Sequence, residues 1–206
     1  VTSLPGSEVT VIAPNYDGID DVLFTAAAKN ADHLIRLDGN YQDMINNHAL
    51  AKAFLDILNE IKPDLILTGV QANNDVDGSL GSLLASHLNQ PYVGYVSNVT
   101  PQKDSILIEK EYPGGLIAQL EARLPVVLGI QAAEQPPRYV AVSKGRQAMK
   151  TLTIEEKPAP SLDPSGAVEI SRMYPAEAGE KAAMLTGDAS QVADQISEIL
   201  KNAGLV

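Results

Sequence analysis

The stretch TGVQANNDVDGSLGS, Thr68 to Ser82, concentrates residue types that hold ions and phosphates. Asn73, Asp75 and Asp77 alternate and Gly78 follows, as at the start of an EF-hand calcium loop. With Asn73 as the first position, the twelfth falls on Leu84, where that loop needs a bidentate glutamate. The run before it, DLILTGV (Asp64 to Val70), reads as a strand, whereas a helix precedes an EF-hand loop. Specific calcium binding is therefore not expected, and no metal ligands are assigned. A phosphate matches better. A strand ends at Gly69, a helix starts near Ser79, and free amides at a helix N-terminus attract anions. Gly78 lets the backbone approach a ligand, and Ser79 can cap the helix or donate its hydroxyl. The stretch is neither G-x-G-x-x-G nor a Walker loop. Asp75 and Asp77 would repel a phosphate unless turned elsewhere. Local chemistry leaves both a nucleotide cradle and a plain loop open.

Little else in the chain could do chemistry. There are no cysteines, which removes disulfides, thiolate metal sites and thiol nucleophiles together. His33, His48 and His87 are scattered without ligand spacing. Gly-x-Ser-x-Gly does not occur, since Gly78-Ser79-Leu80-Gly81 has the wrong order. No general acid and base pair stands out, so no catalytic residue is expected.

The elements that must position the stretch alternate. EVTVIAP (Glu8 to Pro14) is a strand and IDDVLFTAAAKNA (Ile19 to Ala31) a helix. HLIRL (His33 to Leu37) is a second strand. A long helix is expected from about Tyr41 to Ile61, on the spacing of Ile45, Leu50, Phe54, Ile57, Leu58 and Ile61, with Lys62-Pro63 as its stop. After the stretch, Leu80, Leu83, Leu84 and Leu88 form one helical face. Such alternation predicts an α/β fold, doubly wound around a mostly parallel sheet, with ligands beyond the carboxyl ends of its strands. Past Leu88 the pattern changes. PYVGYVSNV is strand-like. SILIEKEY and LIAQLEARL flank the turn Pro113 to Gly115 as a half-exposed antiparallel hairpin, and PVVLGI returns to a buried strand. From Lys157 to Gly166 the chain is Pro-rich and expected to be irregular, with VEISRMY a further strand. Asp188 or Ser190 can cap a terminal helix striped by Val192, Ile196, Ile199 and Leu200. The expected division is a core over residues 1–156 and a C-terminal arm over 157–206.

Composition narrows the function. The 206 residues are 45% hydrophobic, enough for a proper core, and no apolar run is long enough to cross a bilayer. The opening residues carry neither a basic start nor a long apolar block, so no signal peptide is expected. A formal charge of −11, no Trp and two Phe argue against nucleic-acid binding and a base-stacking platform.

DLILTGVQANNDVDGSLGSLLASHL resembles the adenine-nucleotide segment of the electron transfer flavoprotein β subunit. KEYPGGLIAQLEARLPVVLGI resembles that family's signature region, and PPRYVAVSKGRQAMK its recognition loop and basic tail, in the same order. The likeness runs from about Glu8 to the C-terminus. It implies a Rossmann-like, adenine nucleotide α-hydrolase-like fold and a non-catalytic, cytoplasmic or mitochondrial-matrix subunit. It also implies a heterodimer with an α subunit holding most of the redox FAD, and a structural AMP in this chain. In electron-bifurcating members a second FAD takes the place of AMP. A stand-alone nucleotide-binding regulator and a hydrolase or ligase acting on an ATP-derived substrate are other classes that remain open. The implied partners are flavin dehydrogenases, such as acyl-CoA dehydrogenases, and a downstream quinone oxidoreductase. Carried over to this chain, the nucleotide residues are Pro14, Gly69, Val70, Gln71, Ala72, Asn73, Asn74, Asp75, Val76, Asp77, Gly78, Ser79 and Leu80. The docking loop covers about residues 131–153. In it Val142 falls where the family has an anchoring Leu, beside Tyr139, Lys144, Arg146 and Lys150. On its own pattern, Val142 also reads as a half-buried strand residue. The departures are specific. The family's opening strand–helix unit, which supplies adenine contacts, has no counterpart here. Gly78, Ser79 and Leu80 replace commoner residues, Pro113 stands where the signature has an acid, and Ile117 where it has Glu. With Asp77 near the expected phosphate, AMP, FAD and an empty site all stay open.

Overall fold

Strand β1 (Thr10–Pro14) shows why the sheet is covered on both sides. Successive side chains of a strand point to opposite faces. Val11 and Ala13 pack in a cluster with Leu23, Ala27 and Leu34, whereas Ile12 packs against clusters holding Ile66 and Val127 and, separately, Ile35, Leu37 and Tyr41. The first face is taken by α1 (Ile19–Ala27) and α4 (Val142–Thr151), through Leu23 and Ala148. The second is taken by α2 (Asn47–Ile61) and α3 (Leu80–Leu88), through Ala51, Leu58, Leu84 and Ala85. This computed structural model describes residues 6–39, 41, 46–73, 75, 77–132, 139–158, 171–172, 174–176, 179 and 182–205.

Two sheets carry the strands. In one, β1, β2 (His33–Asp38) and β8 (Ile154–Pro158) run parallel in that order. In the other the order is β3 (Leu65–Gly69), β7 (Val126–Ile130), β4 (Tyr92–Pro101), β5 (Ser105–Tyr112) and β6 (Leu116–Arg123). Its first three strands are parallel, and β5 and β6 add antiparallel. Ile12 packs against clusters that hold residues of β2 and of β3 together with α2. The chain runs from β1 through α1 to β2, and then through α2 to β3, which starts the second sheet. Strand β7 is buried on both faces, with Val126 and Leu128 in one cluster and Val127 in another, as its unbroken apolar run requires.

The expected α/β, doubly wound class with its hairpin and terminal helix is the observed one, with local corrections. The second helix starts at Asn47 and not Tyr41, because the Asn46 side chain accepts the Ala49 amide at 3.0 Å and fixes its N-cap there. Ile45, counted in its stripe, lies outside the described residues. The region expected to turn irregular at Lys157 instead starts with β8, which pairs with β2 through Pro158. Arg36 of β2 holds this register, donating to both oxygens of Asp20 on α1 at 2.8 and 2.9 Å and to Glu156 on β8. Lys157 adds an ion pair to Glu60 of α2 at 3.0 Å. The hairpin is half-exposed as expected: β5 is largely buried, and β6, an edge strand, keeps Ala118 and Ala122 half-buried on one face and exposes the other, with Leu116 69% and Ile117 62% exposed near the tip. A further correction, a helix where a loop was expected, concerns the candidate site.

The chain divides into two units, Val1–Ser171 and Arg172–Val206. The boundary expected after residue 156 falls inside β8. Of the predicted strand VEISRMY, residues 168–170 and Met173 lie outside the described residues, and Ser171, Arg172 and Tyr174 are not in a strand. The second unit contains α5 (Ala189–Asn202), closed by a capping box. Asp188 accepts the Gln191 amide at 3.0 Å, and the Gln191 side chain accepts the Asp188 amide at 3.0 Å. Within that unit Ile196, Ile199 and Leu200 stay exposed. No helix among the described residues is long and apolar enough to cross a membrane.

Candidate functional site

Three hydrogen-bonded links place the predicted site. The Asn15 amide donates to the Leu37 carbonyl at 3.0 Å, which sets the carboxyl ends of β1 and β2 side by side. The segment leaving β2 leads to the first turn of α2. There the Asn47 side chain donates to Asp75 at 2.8 Å and to Asp77, both in the loop leaving β3. Pro14 thus ends β1 beside the end of β2, and the loop from Gly69 to Leu80 is tied to the start of α2. Asn74 and Val76 lie outside the described residues. Gln71, Ala72 and Asn73 are exposed, whereas Asp75, Gly78, Ser79 and Leu80 are half-buried.

The loop's shape suits an anion. Gly78 has φ +60°, and a Cβ there would stand 2.5 Å from the Val70 carbonyl oxygen. Only glycine lets the backbone turn so tightly. Behind it, Gly81 seats the first turn of α3 on the sheet, since a Cβ would meet the Thr68 hydroxyl at 2.6 Å and the Tyr92 ring at 2.8 Å. The first intrahelical bond near this end runs from Leu83 to Ser79 at 2.9 Å, so the amides of Leu80, Gly81 and Ser82 have no acceptor within the helix. Ser79 occupies the N-cap position, but its side chain makes no capping bond. Gly78→Ala should lower stability by about 1–3 kcal/mol, from the left-handed strain and the contact with Val70 together. A urea midpoint equal to wild type would show that the turn can relax.

The loop's charge suits an anion poorly. The Asp75 carboxylate accepts the amides of Asp77 at 3.1 Å and Gly78 at 3.2 Å, and Asp77 accepts that of Ser79 at 3.2 Å. The loop's own side chains thus occupy the donors a phosphate would want. Burial disfavours ionisation of Asp77, but hydrogen bonds from the Asn47 side chain and from Ser79 outweigh it and hold the carboxyl below its usual range. Asp75 is half-buried and Asp77 exposed. Among the described residues, no three His, Cys, Asp or Glu side chains gather where they could hold a metal ion. A phosphate fits the cradle only by displacing a carboxylate or by settling on the first turn of α3.

The predicted docking loop is a helix over most of its described length. Val142 opens α4 and is 67% exposed, on neither a strand nor a half-buried site. The run KGRQAMK contains mostly good helix formers, and Ala148 gives it a face that packs with Leu23 and Ala27 of α1. Lys144, Arg146 and Lys150 project from the exposed side, with Tyr139, 88% exposed, just before it. Residues 133–138 lie outside the described residues. Asn47 was missed from sequence, although the pair Asn46-Asn47 at a helix start was a legible capping signal.

Residues 2–162 match the electron transfer flavoprotein domain. The chain is 29% identical over 203 residues to the electron transfer flavoprotein subunit beta of Methylophilus methylotrophus, covering 94% of this chain and 76% of that protein. It is 27% identical over 150 residues to the Dictyostelium discoideum subunit beta, covering 73% and 58%. With the Bos taurus subunit beta it shares 30% over 147 residues, covering 69% and 56%. It therefore spans little more than half the length of the last two.

Proposed function

The chain belongs to the electron transfer flavoprotein family as a β subunit, and on that premise we propose that it is the non-catalytic half of a heterodimeric electron carrier. An α subunit holds the redox FAD, and the cofactor supplies the electron chemistry. This chain supplies position. It holds an adenine nucleotide, AMP, beyond the carboxyl end of β3, covers part of the α subunit, and presents α4 to flavin dehydrogenases. A quinone oxidoreductase receives the electrons. The subunit works in the cytoplasm, or in the mitochondrial matrix of a eukaryote.

The observation that carries the nucleotide assignment is the loop from Gly69 to Leu80, with its tight turn at Gly78, beyond the carboxyl end of β3. Pro14, Gly69 and the amides at the start of α3 would line the nucleotide. Exposed Val142, with Lys144, Arg146 and Lys150 beside it, suits a transient interface with an acidic partner. The apolar stripe of α5 is a second surface for the α subunit.

Purification of the chain with its co-expressed α subunit, followed by denaturation and chromatography of the released nucleotides, tests this. One AMP and one FAD per heterodimer are expected. Two FAD would put a second flavin in that site, and a complex without any adenine nucleotide beyond the α-subunit FAD would overturn the assignment.

A further inference from the structure

Tyr92 opens β4 and packs against the cluster that holds Leu84, Ala85 and Val127. It pairs with Val127 of β7, which pairs in turn with Ile66 of β3. Two residues further along these strands, on the same face, stand Gly94, Gly129 and Thr68. The Tyr92 side chain leans over that next row, towards the carboxyl ends of β3 and β7. Missing Cβ atoms make the room. A Cβ on Gly129 would stand 2.6 Å from the Tyr92 hydroxyl oxygen, and one on Gly94 2.8 Å from it. The first turn of α3 closes on the same ring from the other side, since a Cβ on Gly81 would meet its Cε2 at 2.8 Å and its hydroxyl at 3.3 Å. Three elements thus give up a side chain around one tyrosine. A ring held between two sheet glycines and a helix glycine works as a spacer, which fixes the height of that turn above the sheet. Close-packed interiors pass a small displacement on instead of absorbing it. The turn that rests on Tyr92 is the one whose amides at Leu80, Gly81 and Ser82 have no acceptor within the helix.

We propose that Tyr92 is a positioning residue for anion binding: its ring sets the distance between the sheet and the amides that open α3, and through that distance the affinity of the chain for a nucleotide phosphate. The proposal rests on the assignment of an adenine nucleotide to the loop from Gly69 to Leu80. Tyr92 acts from beneath the turn and touches no ligand. The pull of a helix N-terminus on an anion fades within its first turn, so a shift of that turn alone is enough to change the affinity.

The test is a clash and its relief, read by calorimetric titration of AMP into the intact heterodimer freed of nucleotide. Gly129→Ala sets a Cβ against the Tyr92 hydroxyl, while its next contacts, Gly94 Cα and Tyr92 Cζ, lie at an ordinary 3.4 Å. It should press the ring into α3 and weaken AMP by about tenfold, the worth of a helix-terminus contact with an anion. Tyr92→Phe keeps the ring and should bind AMP as wild type does. Gly129→Ala combined with Tyr92→Phe removes the clash and should recover wild-type affinity. Tyr92→Leu shortens the spacer without adding an atom, and should weaken AMP by about tenfold as well. It carries the test if Gly129→Ala does not assemble. A tyrosine that served packing alone would shift the urea midpoint of the nucleotide-free heterodimer in Gly129→Ala and Tyr92→Leu and leave their AMP dissociation constants at the wild-type value. That result overturns this inference alone, as does a double variant as weak as Gly129→Ala, or a Tyr92→Phe variant as weak as Tyr92→Leu. A wild-type heterodimer that binds no AMP overturns the nucleotide assignment and this inference with it.

Discussion

Asp77→Asn is expected to tighten AMP binding by about tenfold. A phosphate dianion held at the start of α3, as proposed, would lie beside a carboxylate held ionised by Asn47 and the Ser79 amide. Two unit charges about 5 Å apart repel by roughly 3 kcal/mol at an effective dielectric of 20. Asp77 is exposed, so screening trims this, and about 1.4 kcal/mol, one decade, is the expected remainder. Asn keeps an oxygen to accept the Ser79 amide while removing the charge. Calorimetry on the two heterodimers checks the affinity, and an unchanged or weaker value for the variant would mean the phosphate sits elsewhere. The same substitution has a signature in acid. The folded-state carboxyl is depressed below the unfolded one. Its contribution is complete above the ordinary aspartate value of about 4 and is lost as pH falls through the folded value. Below about pH 4 the wild-type urea midpoint should therefore fall more steeply than that of Asp77→Asn.

The double variant Leu116→Asp, Leu120→Asp should abolish or strongly weaken assembly with the α subunit. On β6, Leu116, Ala118, Leu120 and Ala122 share one face, and their β5 partners are Tyr112, Lys110, Ile108 and Ile106. Ile106 and Ile108 are buried in the core, but the same face continues to the hairpin tip with Tyr112 46%, Leu116 69% and Leu120 39% exposed. A core face that runs past its own cover, on an unpaired edge strand, is a surface made for a partner. Each central apolar anchor of such an interface is worth about 1–2 kcal/mol, so two buried charges should cost at least a hundredfold in affinity. Light scattering of the mixed subunits measures it. The substituted residues are exposed in this chain, so its own circular dichroism should not change. Undiminished assembly would move the interface off the hairpin and leave α5 as the surface to test.

Much of this was written in local pattern. The run DLILTGV, the helical leucines after Gly78 and the alternation in LIAQLEARL each give a period that only one element type satisfies. The position of the candidate loop after β3 followed from them, and of the two caps the sequence offered for the terminal helix, Asp188 and Ser190, the structure uses Asp188. The missed elements share a different cause. IEEKP has no strand signature of its own, and β8 exists because Arg36 and Lys157 tie it to β2, α1 and α2 across the fold. The helix α4 depends in the same way on Ala148 meeting α1.

Local patterns in the chain were enough to show that strands and helices alternate, that a hairpin interrupts them, and that a glycine-bearing acidic loop ends a buried strand. These follow from neighbours a few residues apart, whose periodicity chooses which face is apolar. Only the tertiary structure decided what the loop's charges do. Asn47 reaches Asp75 and Asp77 across 28 and 30 residues. Those meetings depend on strand order and register, which are set by packing between distant segments and which no local spacing encodes.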